Sequence, residues 1–277
     1  MTTDENTDLG FGRPHPARIY HYWLGGKDHF KADRDAGDAL AGALPSLPTA
    51  ARANRGFMVR VARHLAAAHG IRQFLDIGTG LPMPPNLHEV VQGIAPAARI
   101  VYVDNDPLVL VHARALLTST PEGSTAYLDA DLNDPATIVT QAQKTLDLNQ
   151  PVAVTLIAIL HLFPDDDEVR RILQALTEPL CAGSALALSV VTGDCDPPGA
   201  VAARAVARSH GLTVTLRSKA QAKALFTGLE LIEPGVTLVH RWRPHHTVAP
   251  LADADVHVWG GVAVKPLARC SNGKAVD

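Results

Sequence analysis

The stretch "FLDIGTGLP", residues 74–82, decides how this chain folds. A short apolar run ends on an acid, Asp76, and then turns through Gly78 and Gly80. Glycines let a backbone turn tightly and let a ligand approach the main chain with no Cβ in the way. Behind the turn, Pro84 and Pro85 precede Asn86, with Glu89 three residues on, a pattern that predicts a capped helix start. The first N–H groups of such a helix have no partner inside it and are free for a ligand. Two glycines in a βα turn also occur where nothing binds, so the surrounding units decide what this one means.

They repeat the pattern. "RIVYVD" precedes "PLVLVHARALL", "TAYLDAD" precedes "PATIVTQAQKTL", "VAVTLIAIL" precedes "DDDEVRRILQALTEPL", and "SALALSVV" precedes "AVAARAVARSHG". With the unit at residue 74, these successive strand-then-helix units predict a parallel sheet with helices on both faces. "LELIEPGVTLVHRW" and "VHVWGGVAVK" read as two more strands, giving a seven-stranded, mostly parallel sheet. Ahead of it, residues 16–69 are helical in pattern. "AARANRGFMVRVARHLAAAHG" places Phe57, Val61, Leu65 and Ala68 on one face and arginines on the other, with Gly70 as its cap. The two prolines of "GDALAGALPSLPTA" predict a break between helices. The division expected is a helical cap over 1–69, with a mobile start up to about residue 14, and a sheet domain over 70–277.

Composition narrows the function. With 47% hydrophobic and 19% charged residues and a net charge of -3, the 277-residue chain reads as globular, with no basic excess for nucleic acid or a membrane surface. "PVAVTLIAILHLF" is too short to span a bilayer. Three separated cysteines, Cys181, Cys195 and Cys270, read as free thiols of a reducing compartment, and the acidic start is not a secretory signal. A cytoplasmic protein is expected. The thirteen histidines show no metal-ligand spacing, adjacent His245 and His246 read as a loop, and no metal is expected. Nothing in the chain encodes an oligomeric state.

Three acids fall at successive strand tips. A dinucleotide fingerprint needs a third glycine where Met83 stands, and Asp76 would repel a pyrophosphate. Asp76 suits instead a ligand whose near end carries an ammonium, such as S-adenosylmethionine. Asp104, with Asn105 behind it, is placed to accept from ribose hydroxyls, while Asp106 reads as a helix cap ahead of Pro107. Asp131 is placed to accept from an adenine amino group, with the Leu132 backbone reading the ring. Asp129 alternates to the other face and solvent.

These residues resemble the motifs of class I S-adenosylmethionine-dependent methyltransferases, with a Rossmann-like fold: "LDIGTG" is similar to the first, "VDND" to the second and "DADL" to the third. More closely, "PARIYHYWLGGKDHFKADR", "FLDIGTGLP", "VYVDNDP", "LHLFPDDD" and "EPGV" resemble an actinomycete family of uncharacterised S-adenosyl methyltransferases. The resemblance implies S-adenosyl-L-methionine as cofactor. "LHLFPDD" is similar to the motif whose histidine is the general base of small-molecule O-methyltransferases, which would make His161 the base; Leu162 stands where that motif has Asp. The other reading of His161 is a helix cap or a packing residue. No NPPY-like or Pro-Cys motif points to DNA bases or glutamine, which leaves a small organic methyl acceptor.

"RIYHYWLGGKDHF", residues 18–30, is not a Walker loop, because Asp28 follows Lys27 and the flank is helical. It reads as a lid: Tyr20, Tyr22 and Trp23 cover the cofactor or the acceptor, and Gly25-Gly26 bring the chain close to it. Lys27 or Arg55 would pair with the cofactor's carboxylate. The alternative function is a catalytically inactive cofactor-binding regulator or scaffold, which a filled acceptor cavity would favour.

Overall fold

The computed structural model describes residues 12–116, 118–244 and 250–266; the earlier part of the expected mobile start, His245, His246 and Cys270 lie outside the described residues. The described residues open with three helices, α1 (Pro16–Trp23), α2 (Lys31–Ala43) and α3 (Leu47–Ala68). Strand and helix then alternate: β1 (Gln73–Ile77), α4 (Leu87–Gln92), β2 (Arg99–Asp104), α5 (Pro107–Leu116), β3 (Ser124–Asp129), α6 (Pro135–Ala142), β4 (Val152–Ile157), α7 (Asp166–Thr177), β5 (Ala185–Val191) and α8 (Pro197–Ser209). The end adds α9 (Lys219–Ala224), β6 (Glu230–Leu231), β7 (Thr237–Leu238) and β8 (Val258–Val264).

The sheet order is β3-β2-β1-β4-β5-β8-β6, with β7 also on β8. The first five strands are parallel and β8 runs antiparallel to β5. Chain order reverses between β1 and β4, and an open sheet binds ligands beyond the carboxyl ends of its strands at such a switch point. The inner strands are buried on both faces, which is why they read as continuous apolar runs.

The end of the chain departs from the expected pair of strands. "LELIEPGVTLVHRW" is not one strand but two two-residue pieces along the same edge of β8, Glu230 opposite Val264 and Thr237 opposite Gly260. Pro234 has no N–H to give, and Gly235 turns back with its N–H on the Ile232 carbonyl at 2.8 Å. Among the described residues the strands number eight, in seven positions.

The expected helix break falls at residues 44–46, with Pro48 in the first turn of α3. Phe57, Val61 and Leu65 are fully buried in one cluster with Phe74 of β1 and Ile100 of β2, so α3 shares its core with the sheet. Ala68 is exposed, and the stripe runs instead through Ala62 and Ala66. Arg60 is not a solvent-face residue either: it donates to the Trp242 and Val239 carbonyls at 2.8 and 2.6 Å. Two buried polar groups are satisfied where they fix the frame. Gln73 exchanges hydrogen bonds with the Asp147 backbone at 2.8 and 2.7 Å, and Ser189 Oγ accepts from the Ala158 N–H at 2.9 Å.

Candidate active site

The tips of β1 and β2 are bound to each other. The N–H groups of Gly78 and Thr79 donate to the Val103 carbonyl at 2.9 and 3.2 Å, and the Gly80 N–H donates to Asp104 Oδ2 at 2.9 Å. Gly78 and Gly80 hold φ of 70° and 66°, the left-handed region. A Cβ on Gly78 would lie 2.2 Å from Ile159 Cδ1, whereas one on Gly80 would meet nothing closer than Ala17 Cβ at 3.9 Å. Asp104 is 8% exposed, and its Oδ1 accepts from the Asp106 N–H at 3.0 Å. Burial raises its pKa, against the pull of those two N–H groups. Each oxygen keeps a lone pair for a further donor. Asp106 is the expected cap, accepting from the Leu108 N–H at 2.9 Å.

Asp131 is exposed and held at both oxygens. Oδ1 accepts from Asn133 N and Nδ2, both at 2.8 Å, and Oδ2 from Asn105 Nδ2 at 3.3 Å. With buried Leu132 and Val103 and half-buried Phe163 it lines a cavity of about 350 Å³ beyond β2 and β3. Asp129 is exposed and lies outside that lining.

A second cavity, of about 280 Å³, runs from Asp76, Gly78 and Asp104 to aliphatic side chains of α1, α2, α3 and α8, among them Ile19, Leu40 and Ala203. Asp76 Oδ1 accepts from Thr155 Oγ1 at 2.5 Å. Burial pushes the Asp76 pKa up to about 6; the Thr155 bond and the Arg55 guanidinium pull against it, and Asp104 adds to it. Arg55, on the inner side of α3, donates to the Met83 carbonyl and to the Pro85 carbonyl, the latter at 2.8 Å, while its Nε has no partner among the described residues. Burial lowers its pKa.

His161 also lines this cavity. Beyond β4, Ala158 takes φ of 58° and a 3₁₀ turn (Leu160–Leu162) follows. The turn is pinned by Arg217, 0% exposed, whose guanidinium donates to the Leu160 and Phe163 carbonyls at 2.7 and 2.8 Å and to Asp166 Oδ1 at 2.8 Å. The Thr215 N–H donates to the His161 carbonyl at 2.8 Å. Burial, then the Arg217 charge, push the His161 pKa down to about 4, so the imidazole is neutral at physiological pH.

The opening segment divides. Tyr20 and Trp23 line the cavity; Tyr22 does not, and donates to Asp38 Oδ1 at 2.8 Å on α2. Lys27 is exposed and outside the lining, so of the two cations weighed for the carboxylate only Arg55 reaches the crevice. The double glycine closes the end of α1 and lies outside the cavity lining: the Gly26 N–H donates to the His21 carbonyl at 2.9 Å, and a Cβ there would run into the His21 ring. Sequence reasoning missed Thr155, Arg217 and Asn54. Asn54 had a signal, since it lies three residues before Phe57 and continues the apolar stripe of α3 with a polar side chain. Arg217, in irregular chain, had none.

Sheet order, the crevice at the β1/β4 switch point and the antiparallel β8 define a class I, Rossmann-like methyltransferase fold. The chain belongs to the S-adenosyl methyltransferase family, whose model matches residues 2–266; it is an S-adenosylmethionine-dependent methyltransferase, and S-adenosyl-L-methionine is its cofactor. It is similar to a DUF574 family protein from Streptomyces avermitilis, at 48% identity over 93% of this chain and 100% of that one, with a TM-score of 0.90. It is also similar to a candidate methyltransferase from Thermobifida fusca, at 35% identity over 96% of this chain and 100% of that one, with a TM-score of 0.86. No curated protein matches the chain. Among the described residues no helix is long and apolar enough to cross a membrane, and no three His, Cys, Asp or Glu side chains gather as a metal site.

Proposed function

We propose that this methyltransferase acts on a hydroxyl of a small, largely apolar organic acceptor, with His161 as general base. The observation that carries the reading is the cavity of about 280 Å³, which joins the strand-tip acids to an aliphatic chamber and has His161 among its lining residues. The residues fit the cofactor. Asp104 has lone pairs left for ribose hydroxyls, Asp131 and the Leu132 backbone suit adenine, with Asn105 holding Asp131 in place, and Asp76 suits the ammonium. The unpartnered Arg55 Nε suits the carboxylate, and Gly78 and Gly80 allow close approach. Tyr20 and Trp23 shut out water.

When bound, the cofactor supplies a methyl carbon already activated by positive sulfur. The protein's work is then position, a dry chamber and removal of the acceptor proton. His161 takes that proton as the acceptor oxygen attacks. An imidazole with a pKa near 4 is a weak base, which favours an acidic hydroxyl, a phenol over an aliphatic alcohol. A catalytically inactive regulator or scaffold finds no supporting observation, since the chamber is open and not filled.

The test is methyl transfer from S-adenosylmethionine to a panel of phenols, alcohols, amines and thiols, read by mass spectrometry for the wild type and His161→Gln. At saturating S-adenosylmethionine, phenol turnover should fall about 100-fold in the variant, and that of the wild type should be flat with pH from neutrality down to about 5. Turnover confined to amines or thiols and indifferent to His161→Gln would reject the proposal.

A further inference from the structure

We infer that Asn54, oriented by Tyr20, is a cofactor-binding residue that receives the α-ammonium of S-adenosylmethionine between itself and Asp76. The inference deepens the proposed site and rests on its placement of the cofactor's amino-acid end.

Asn54 is 1% exposed and lies among the residues lining the chamber. Its orientation follows from counting protons. Tyr20 has one hydroxyl proton and donates it to the Ala51 carbonyl at 3.0 Å. Burial raises the Tyr20 pKa to about 12, so that proton stays on. Toward Asn54 the hydroxyl can only accept, and it does so from Nδ2 at 3.1 Å. The amide nitrogen is thereby fixed on Tyr20, and Oδ1 is left with no partner among the described residues. Buried amide oxygens in folded proteins are almost always paired, so an orphan of this kind calls for a donor from outside the described residues, which a ligand in the chamber can supply.

The next residue repeats the situation with the opposite sign. Arg55 uses its terminal nitrogen on the Met83 and Pro85 carbonyls, and its Nε–H has no partner among the described residues. Asp76, lining the same cavity, has Oδ1 on Thr155, and its Oδ2 remains for a further donor. An unpaired acceptor, an unpaired cationic donor and a carboxylate at one end of a cavity ask for a ligand that both donates from a cation and accepts on an anion. An α-amino acid zwitterion does both, and it is the part of the cofactor that a plain nucleoside lacks.

That difference gives the experiment. Calorimetric titration of S-adenosylhomocysteine and of 5′-methylthioadenosine, which has the nucleoside and sulfur but no amino acid, is made on wild type, Asn54→Ala and Tyr20→Phe. Alanine is a better helix former than asparagine, so the first variant keeps α3. Asn54→Ala should weaken S-adenosylhomocysteine about tenfold or more and leave 5′-methylthioadenosine within about twofold, and Tyr20→Phe should show the same selectivity, more weakly. Equal losses for both compounds would make Asn54 a structural residue, and no loss for S-adenosylhomocysteine would remove it from the site; either overturns the inference while the cofactor site stands. A wild type that binds neither compound overturns the site and the inference together.

Discussion

Replacing Asp76 by asparagine should make the empty protein more stable and the enzyme worse. In the folded chain the Asp76 pKa is raised by burial from 3.8 to about 6. The folded state therefore holds this proton more tightly than the unfolded state does, and stability falls as pH rises through the window between those two values. Above pH 6 the ionised, buried carboxylate costs up to about 3 kcal/mol, at roughly 1.4 kcal/mol per unit. The amide of the Asp76→Asn variant carries no such charge. The expected gain at pH 7.5 is about 2 kcal/mol in urea denaturation, or a Tm higher by roughly 4 °C for a chain of this size. The gain should shrink toward zero by pH 4, where the wild-type carboxyl is protonated. S-adenosylhomocysteine reverses the order, because its ammonium favours the ionised acid: wild type should bind more tightly as pH rises through 6, and Asp76→Asn should lose more than about tenfold in affinity. A variant less stable than wild type at pH 7.5 without ligand, or a stability difference that does not narrow on acidification, would contradict this account of the buried carboxylate.

Three further outcomes separate neighbouring roles. Gly80→Ala should cost only the left-handed strain of about 1–2 kcal/mol, whereas Gly78→Ala should cost more and also impair S-adenosylhomocysteine binding, because its Cβ displaces Ile159; denaturation and calorimetry on both decide this. Ala203→Phe fills the aliphatic end of the chamber and should raise the acceptor KM with the cofactor Kd unchanged. Arg217→Met removes all three guanidinium bonds beneath His161 and should destabilise by about 3 kcal/mol or more, measured by urea titration.

What could be read from the sequence was what repeats with a fixed period or stands next to a turn. The strand tips carrying Asp76, Asp104 and Asp131 were legible because an apolar run, an acid and a glycine or helix cap follow one another locally. The choice between Lys27 and Arg55 was not, since it depends on which way α1 and α3 lie across the crevice. The same holds within one helical turn: Tyr20 and Trp23 meet the chamber while Tyr22, between them, turns to Asp38. Arg217 reaches the turn of His161 from far along the chain, and no local spacing announces that. The split at β6 and β7 was written in Pro234-Gly235, but the alternation on either side masked it.

That split also bears on how the protein avoids its own kind. A sheet edge is a template on which another strand can add, and long flat edges invite aggregation. Here one flank of β8 is met by two pieces of two residues each, broken by a proline, too short to be extended in register. Strand addition to the described sheet is left to β3 at the opposite flank, and that is where any β-type self-association should begin.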